Sequence, residues 1–137
     1  MVTRRDPGTL TMLSLLSKAV YKRASEDLIA ISQRHYLALH YLSESEGMPQ
    51  QQLSEILWID ANNTVLLLNE LESDGLVRRE RDPADRRRHL VYLTKGGAER
   101  VALARQRRES LEDEVLAALD PRERETLHRL LAKALDR

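Results

Sequence analysis

The sequence predicts a mainly α-helical chain with one small β-hairpin, and three observations carry that prediction. Apolar residues recur at steps of three and four over most of the 137 residues, the spacing of one helix face. Proline, glycine and short polar residues fall at the ends of these runs, where helices start and stop. One stretch, "VRRERDPADRRRHLVYL" at 77–93, breaks that period and alternates around the turn-forming "DPAD".

Each element follows from its own signals. After an arm, "MVTRRDPG", the residues Leu13, Leu16, Val20, Ala24, Leu28 and Ile31 share one face of a first helix from Thr9 to Ile31. Ser32 suits the N-cap of a second helix to about Ser45, with Tyr36, Leu39 and Leu42 inward and Gly47 closing it. Pro49 fits the first turn of a short third helix, "QQQLSEIL", which turns Leu53, Ile56 and Leu57 inward. Asp60 caps a fourth helix that stops at Gly75; its inward face is Thr64, Leu67, Leu68 and Leu71, and its opposite face Asn62, Leu66, Asn69 and Ser73. The hairpin comes next, with Asp82 to Arg88 as its loop. Thr94 caps a long fifth helix to about Leu119, with a seam of Val101, Leu111, Val115 and Leu119, and Pro121 opens a last helix with Leu127, Leu130, Leu131, Ala134 and Leu135 on one face. Neither an internal repeat nor a linker interrupts the chain, so 1–137 reads as one domain. Its middle, 32–94, is compact, whereas the helices at 9–31 and 95–136 carry leucine seams that need a partner. Pairing with a second copy in a closed homodimer is the economical cover.

Charge and composition exclude several functions. The 22 basic and 22 acidic residues cancel, so attraction to a polyanion has to come from placement. Between Val77 and Arg88, Arg78, Arg79, Arg81, Arg86, Arg87 and Arg88 face Glu80, Asp82 and Asp85, a local balance of 6 − 3 = +3. Arginine outnumbers lysine 18 to 4, so a general arginine enrichment also accounts for part of this run. Without cysteine there is no disulfide, thiolate metal site or thiol sensor. His35 and His40 are five apart, and with His89 and His128 they form no H-x-x-x-H pattern, so no metal and no cofactor is expected. No apolar run is long enough for a membrane span or a secretory signal, and a soluble, cytoplasmic protein is the expectation. No serine–histidine–acid set or phosphate loop is present, and "KGG" at 95–97 lacks the nucleotide-loop spacing, so no enzyme is expected.

Two helices joined by a tight turn and followed by a cationic hairpin form a winged helix-turn-helix, whose second helix enters the major groove while the wing reaches backbone and minor groove. Guanidinium groups on a slender loop suit that use, because they bind phosphates bidentately and are drawn to a narrow minor groove. The run "LNELESDGLVRRERDPADRRRHLVYLTKGG" resembles the signature of the MarR (multiple-antibiotic-resistance regulator) family of bacterial transcription factors. Leu68, Leu71, Glu72, Gly75, Leu76 and Val77 match its first half; Asp85, Arg87, Val91, Leu93, Thr94 and Gly97 match its second. The resemblance implies a homodimer that holds a pseudo-palindromic double-stranded operator, commonly as a repressor, and in many members releases it when a small aromatic or phenolic anion binds. It makes Arg87 the minor-groove arginine, Asp85 the acid that orients it, and Arg86 and Arg88 phosphate contacts.

The departure lies in the recognition helix, "DANNTVLLLNELE", which has no basic residue where many relatives have arginine, serine or threonine. Asn62, Asn63, Leu66 and Asn69 are its candidate DNA contacts, since asparagine can pair with adenine and an apolar side chain can meet a thymine methyl. Arg79, Tyr36 and Trp58 are candidate ligand residues, with pairing to a carboxylate the alternative for Arg79 and ordinary core packing for Tyr36. Trp58 stands where relatives often turn with glycine, and its indole could fill the space a ligand would take. Two further readings stay open: a winged protein-interaction module docking through Leu66, and a DNA-binding regulator with no ligand.

Overall fold

The computed structural model describes residues 5–26 and 32–137, and among them lie six helices and three short strands. They are α1 Thr9–Glu26, α2 Gln33–Ser43, β1 Met48–Pro49, α3 Gln50–Leu57, α4 Ala61–Ser73, β2 Val77–Arg81, β3 His89–Leu93, α5 Lys95–Val115 and α6 Pro121–Ala134. The expected continuation of the first helix to Ile31, including Leu28 and Ile31 of its seam, lies outside the described residues. No described helix is long and apolar enough to cross a membrane. The chain divides into two compact units, one from 29–106 and the other from 1–28 and 107–137.

The first unit has a closed apolar core. Ala38, Leu39 and Leu42 of α2, Leu53 of α3, and Leu67, Leu68 and Leu71 of α4 pack with Met48, Leu76, Val77, Val91, Val101 and Ala104. These are the helix faces expected from the spacing, and Thr64 joins them at 0 % exposure. Its burial is permitted because its hydroxyl bonds the Ser54 hydroxyl at 2.6 Å and the Asp60 carbonyl at 2.9 Å. The caps are those of the sequence: the Ser32 side chain accepts from the His35 N–H, and Asp60 from Asn63.

The sheet order is β1–β3–β2, all antiparallel. The hairpin pairs Val77 with Leu93 and Arg81 with His89, leaving Asp82 to Arg88 as its loop. β1 extends the expected hairpin by pairing Met48 with Val91. Two expectations are corrected nearby. Pro49 is the N-cap of α3 and part of β1, not a residue of the first turn. α2 ends at Ser43, so Gly47 does not close it; with φ 117°, Gly47 passes the Tyr92 ring so closely that an added Cβ would lie 2.4 Å from it.

The root of the hairpin is a crowded junction. Gly75, at φ 74°, ends α4, and the Leu76 N–H donates to the Leu71 carbonyl at 2.9 Å. The Thr94 hydroxyl donates to the Gly75 carbonyl at 2.6 Å and accepts from the Gly97 N–H at 3.0 Å, so one side chain caps α5 and ties it to the end of α4. Gly97 has to be glycine: a Cβ there would sit 2.1 Å from the Leu76 carbonyl oxygen.

In the second unit Leu16, Val20 and Ala24 of α1 are half-buried and Leu111 is 3 % exposed, while Leu10, Leu13, Leu130, Leu131 and Leu135 remain exposed. Arg23 reaches Glu114 at 3.4 Å, and Arg124 bonds Asp113 at 2.7 Å. α5 stops at Val115 rather than Leu119. The chain tightens there, with Leu119 N–H bonded to the Leu116 carbonyl, because Asp120 must be extended before Pro121. Asp120 and Glu123 then complete a reciprocal capping box.

Gly97→Ala should lower stability by about 2 kcal/mol, because the blocking atom is backbone and cannot turn aside. The urea midpoint of the full chain measures this; an unchanged midpoint would show that the junction can open at little cost.

Candidate nucleic-acid interface

The loop 82–88 satisfies its own backbone. The Asp82 N–H donates to the Arg88 carbonyl at 2.9 Å, and the N–H groups of Asp85 and Arg88 to the carbonyls of Asp82 and Asp85. Asp82 takes the Ala84 N–H on its side chain at 2.9 Å, and Asp85 takes that of Arg87 at 3.1 Å, the local turns that aspartate favours. Arg86, Arg87 and Arg88 are therefore carried outward on a backbone that needs nothing from them. Arg87 is 93 % exposed, and its Nε donates to Asp85 Oδ1 at 3.3 Å, a contact that orients the guanidinium without covering it. Arg86 and Arg88 are exposed, and among the described residues their side chains make no hydrogen bond.

The other arginines of the hairpin hold structure. Arg78 pairs with Glu80 and lies 4.2 Å above the Tyr92 ring, its cross-strand neighbour. Arg81 donates to the Arg86 carbonyl at 3.1 Å, tightening the loop. Arg79 ties the wing root to α4. Its backbone N–H donates to Glu72 Oε2 at 3.0 Å, and its guanidinium to Glu72 Oε1 at 3.1 Å and Asn69 Oδ1 at 2.6 Å. The guanidinium hydrogen bond holds the Glu72 carboxyl below its ordinary value.

α4 presents Asn62, Val65, Leu66, Asn69 and Ser73 to solvent, with Leu66 59 % exposed. The asparagines differ in what remains free. Asn63 donates its amide to Asp60 Oδ2 at 3.0 Å, and Asn69 has its oxygen occupied by Arg79, whereas Asn62 makes no side-chain hydrogen bond among the described residues. From its exposed surface Glu70 braces α4 to His35 of α2 at 2.7 Å.

Between the start of α4 and the wing lies an open cavity of about 710 Å³, lined by Gln50, Ser54, Trp58, Ala61, Arg87 and Arg88 among others. Trp58 forms part of this wall with its indole 69 % exposed, so it does not plug an enclosed space. Its backbone explains the oddity of the position. At φ 55° and ψ 41° it is the left-handed residue ending α3, with Ile59 N–H bonded to the Ser54 carbonyl at 3.2 Å, a conformation that glycine adopts freely.

The three candidate ligand residues do not share this cavity. Tyr36 packs half-buried on the core with its ring 6.0 Å from that of His40, and Arg79 is engaged with Glu72. Sequence reasoning missed the Asn69–Arg79 bond and the cavity wall, because both join residues across the turn by contacts that no spacing rule encodes.

Wild type should be more stable than Glu72→Gln at neutral pH, and the gap should close as pH falls below 4.5. A carboxyl lowered in the folded state stabilises above its unfolded value and loses that contribution on protonation. Urea unfolding of both proteins across that range measures the gap; a constant gap would mean that the Glu72 charge plays no part.

Comparison with known proteins comes to the same region. The model of the MarR family matches residues 31–89. The transcriptional regulator HosA of Escherichia coli O111:H- is 31% identical over 114 residues, which is 83% of this chain and 84% of HosA. A crystal structure of a MarR variant from E. coli complexed with operator DNA is similar with TM-score 0.75 and 25% identity, covering 91% of both chains. The PcaV regulator of Streptomyces coelicolor, crystallised with its natural ligand, has the same fold with TM-score 0.83 at 22% identity, covering 98% of each chain.

Proposed function

We propose, since the chain belongs to the MarR family of transcription regulators, that it is a homodimeric repressor which binds a pseudo-palindromic operator and releases it to a small aromatic or phenolic anion. It has the DNA-binding fold of that family and is a regulator, not an enzyme. The observation that carries the DNA reading is the self-satisfied loop with Arg86, Arg87 and Arg88 exposed, in the same compact unit as α4. α4 enters the major groove, the intervening strand lies over the cavity beside Trp58, and Arg87 enters the minor groove with Asp85 holding its plane.

The exposed leucines of α1 and α6 supply the apolar faces that a second copy covers. A two-fold pair fits successive major grooves only when the two α4 helices stand about 34 Å apart. A ligand that prefers another spacing therefore shifts the population away from DNA. The PcaV complex supports the ligand part, as a protein of this fold crystallised with its natural ligand. Arg79 would have to exchange Glu72 and Asn69 for an anion, which makes it a costly ligand residue here. The exposure of Leu66 on a helix without basic residues favours a second reading, a protein-interaction module.

Fluorescence anisotropy with the DNA upstream of the chain's own gene, across a salt series, separates the readings. Arg87→Ala should weaken binding by about 1–3 kcal/mol and flatten the salt dependence by roughly one counterion. Binding no tighter than to random DNA, unchanged by the substitution, would overturn the operator reading in favour of a protein partner.

A further inference from the structure

α4 is an unusual surface to lay in a polyanion's groove. From Ala61 to Ser73 it has no lysine or arginine, and its acids Glu70 and Glu72 are turned to His35 and Arg79. Among the exposed residues of α4, which also include Ala61, Asn63, Glu70, Glu72 and Ser73, one short stripe runs at helical spacing: Asn62, then Val65 at 38 % and Leu66 at 59 % exposure, then Asn69. The core of this unit is complete without Val65 and Leu66, so folding does not explain them. Lodging DNA as their occupant is supported by the wing, two of whose exposed arginines, Arg87 and Arg88, line the same cavity as Ala61 at the start of this helix.

The donors and acceptors left on the stripe limit which bases it can recognise. Guanine is read best by a bidentate cation, which α4 lacks. Adenine offers one acceptor and one donor, and matches a carboxamide with both edges free. Asn62 meets that requirement, whereas Asn69 does not, because its oxygen is held by Arg79 at 2.6 Å. The major groove carries one apolar group, the thymine C5 methyl, and an exposed branched side chain one turn beyond Asn62 is placed to cover it.

We infer that α4 reads A·T pairs, with Leu66, flanked by Val65, against thymine methyls and Asn62 on adenine. Specificity is then supplied by uncharged contacts on the helix and affinity by charge on the wing. The inference rests on the DNA-binding reading above.

The test uses the full chain and duplexes selected by it from a random-sequence pool. In the selected duplex each thymine is replaced singly by deoxyuridine, which keeps the base pair and removes only the methyl. Half-sites rich in A·T are expected, and loss of a contacted methyl should weaken binding about fourfold, the worth of one buried methylene-sized group. Leu66→Ala should bind thymine and uracil duplexes alike; because Leu66 is exposed the variant should fold, which its unfolding curve checks. Equal binding of thymine and uracil duplexes by the wild type would overturn the inference, as would an undiminished uracil penalty in Leu66→Ala. Selection of G·C half-sites would overturn it while leaving DNA binding intact, whereas enrichment of no sequence would overturn the DNA reading itself.

Discussion

The wing can act only if its root is fixed to α4, and that fixing is done by the junction of Gly75, Leu76, Thr94 and Gly97. One hydroxyl serves both ends: Thr94 gives its proton to the carbonyl of Gly75 and receives the N–H of Gly97. The backbone of α5 comes so near Leu76 that no side chain fits at Gly97. With Leu76 and Val77 in the core, the two strands leave this point in one direction, and Arg79 adds a second tie to Asn69 and Glu72 further along. A partly exposed ion pair such as Arg79–Glu72 adds modest stability by itself, so the apolar burial and the Thr94 bonds hold the junction, and the ion pair sets direction.

That division explains why six neighbouring arginines do different work. Arg78, Arg79 and Arg81 bond within the hairpin or to α4 and shape it, whereas Arg86, Arg87 and Arg88 lie exposed on the loop. A neutral protein can in this way present a local cationic probe. Its recognition helix contributes no attraction of its own, so binding should depend on salt through the loop and on sequence through the helix.

Most of the fold was legible because its signals are local. Ser32 and Asp60 cap helices within three residues, Pro121 opens the last one, and the helix faces follow from period alone. "DPADR" encodes its own loop through two aspartates that bond backbone two residues on. β1 was not legible, since two residues including a proline show no alternation, and its partner Val91 is far away in sequence. The end of α5 was overrun because the apolar spacing continues through the tight turn to Leu119. The same locality divides the site. Asp85 beside Arg87 was readable, but that Asn69 is already occupied, and that Trp58 occupies a left-handed position beside the wing, depends on contacts made only in the folded chain.

In the proposed complex, charge on the wing and neutral contacts on α4 act on different grooves of one duplex. Hydroxyl-radical footprinting, which reports minor-groove sugars, on a selected duplex with the wild type and with Arg86→Ala/Arg87→Ala/Arg88→Ala tests it most directly. The account predicts that the variant, at a concentration restoring occupancy, loses the minor-groove protection flanking each half-site and keeps the same sequence preference. Unchanged protection at the flanks, or a changed preference for the half-site, would contradict it.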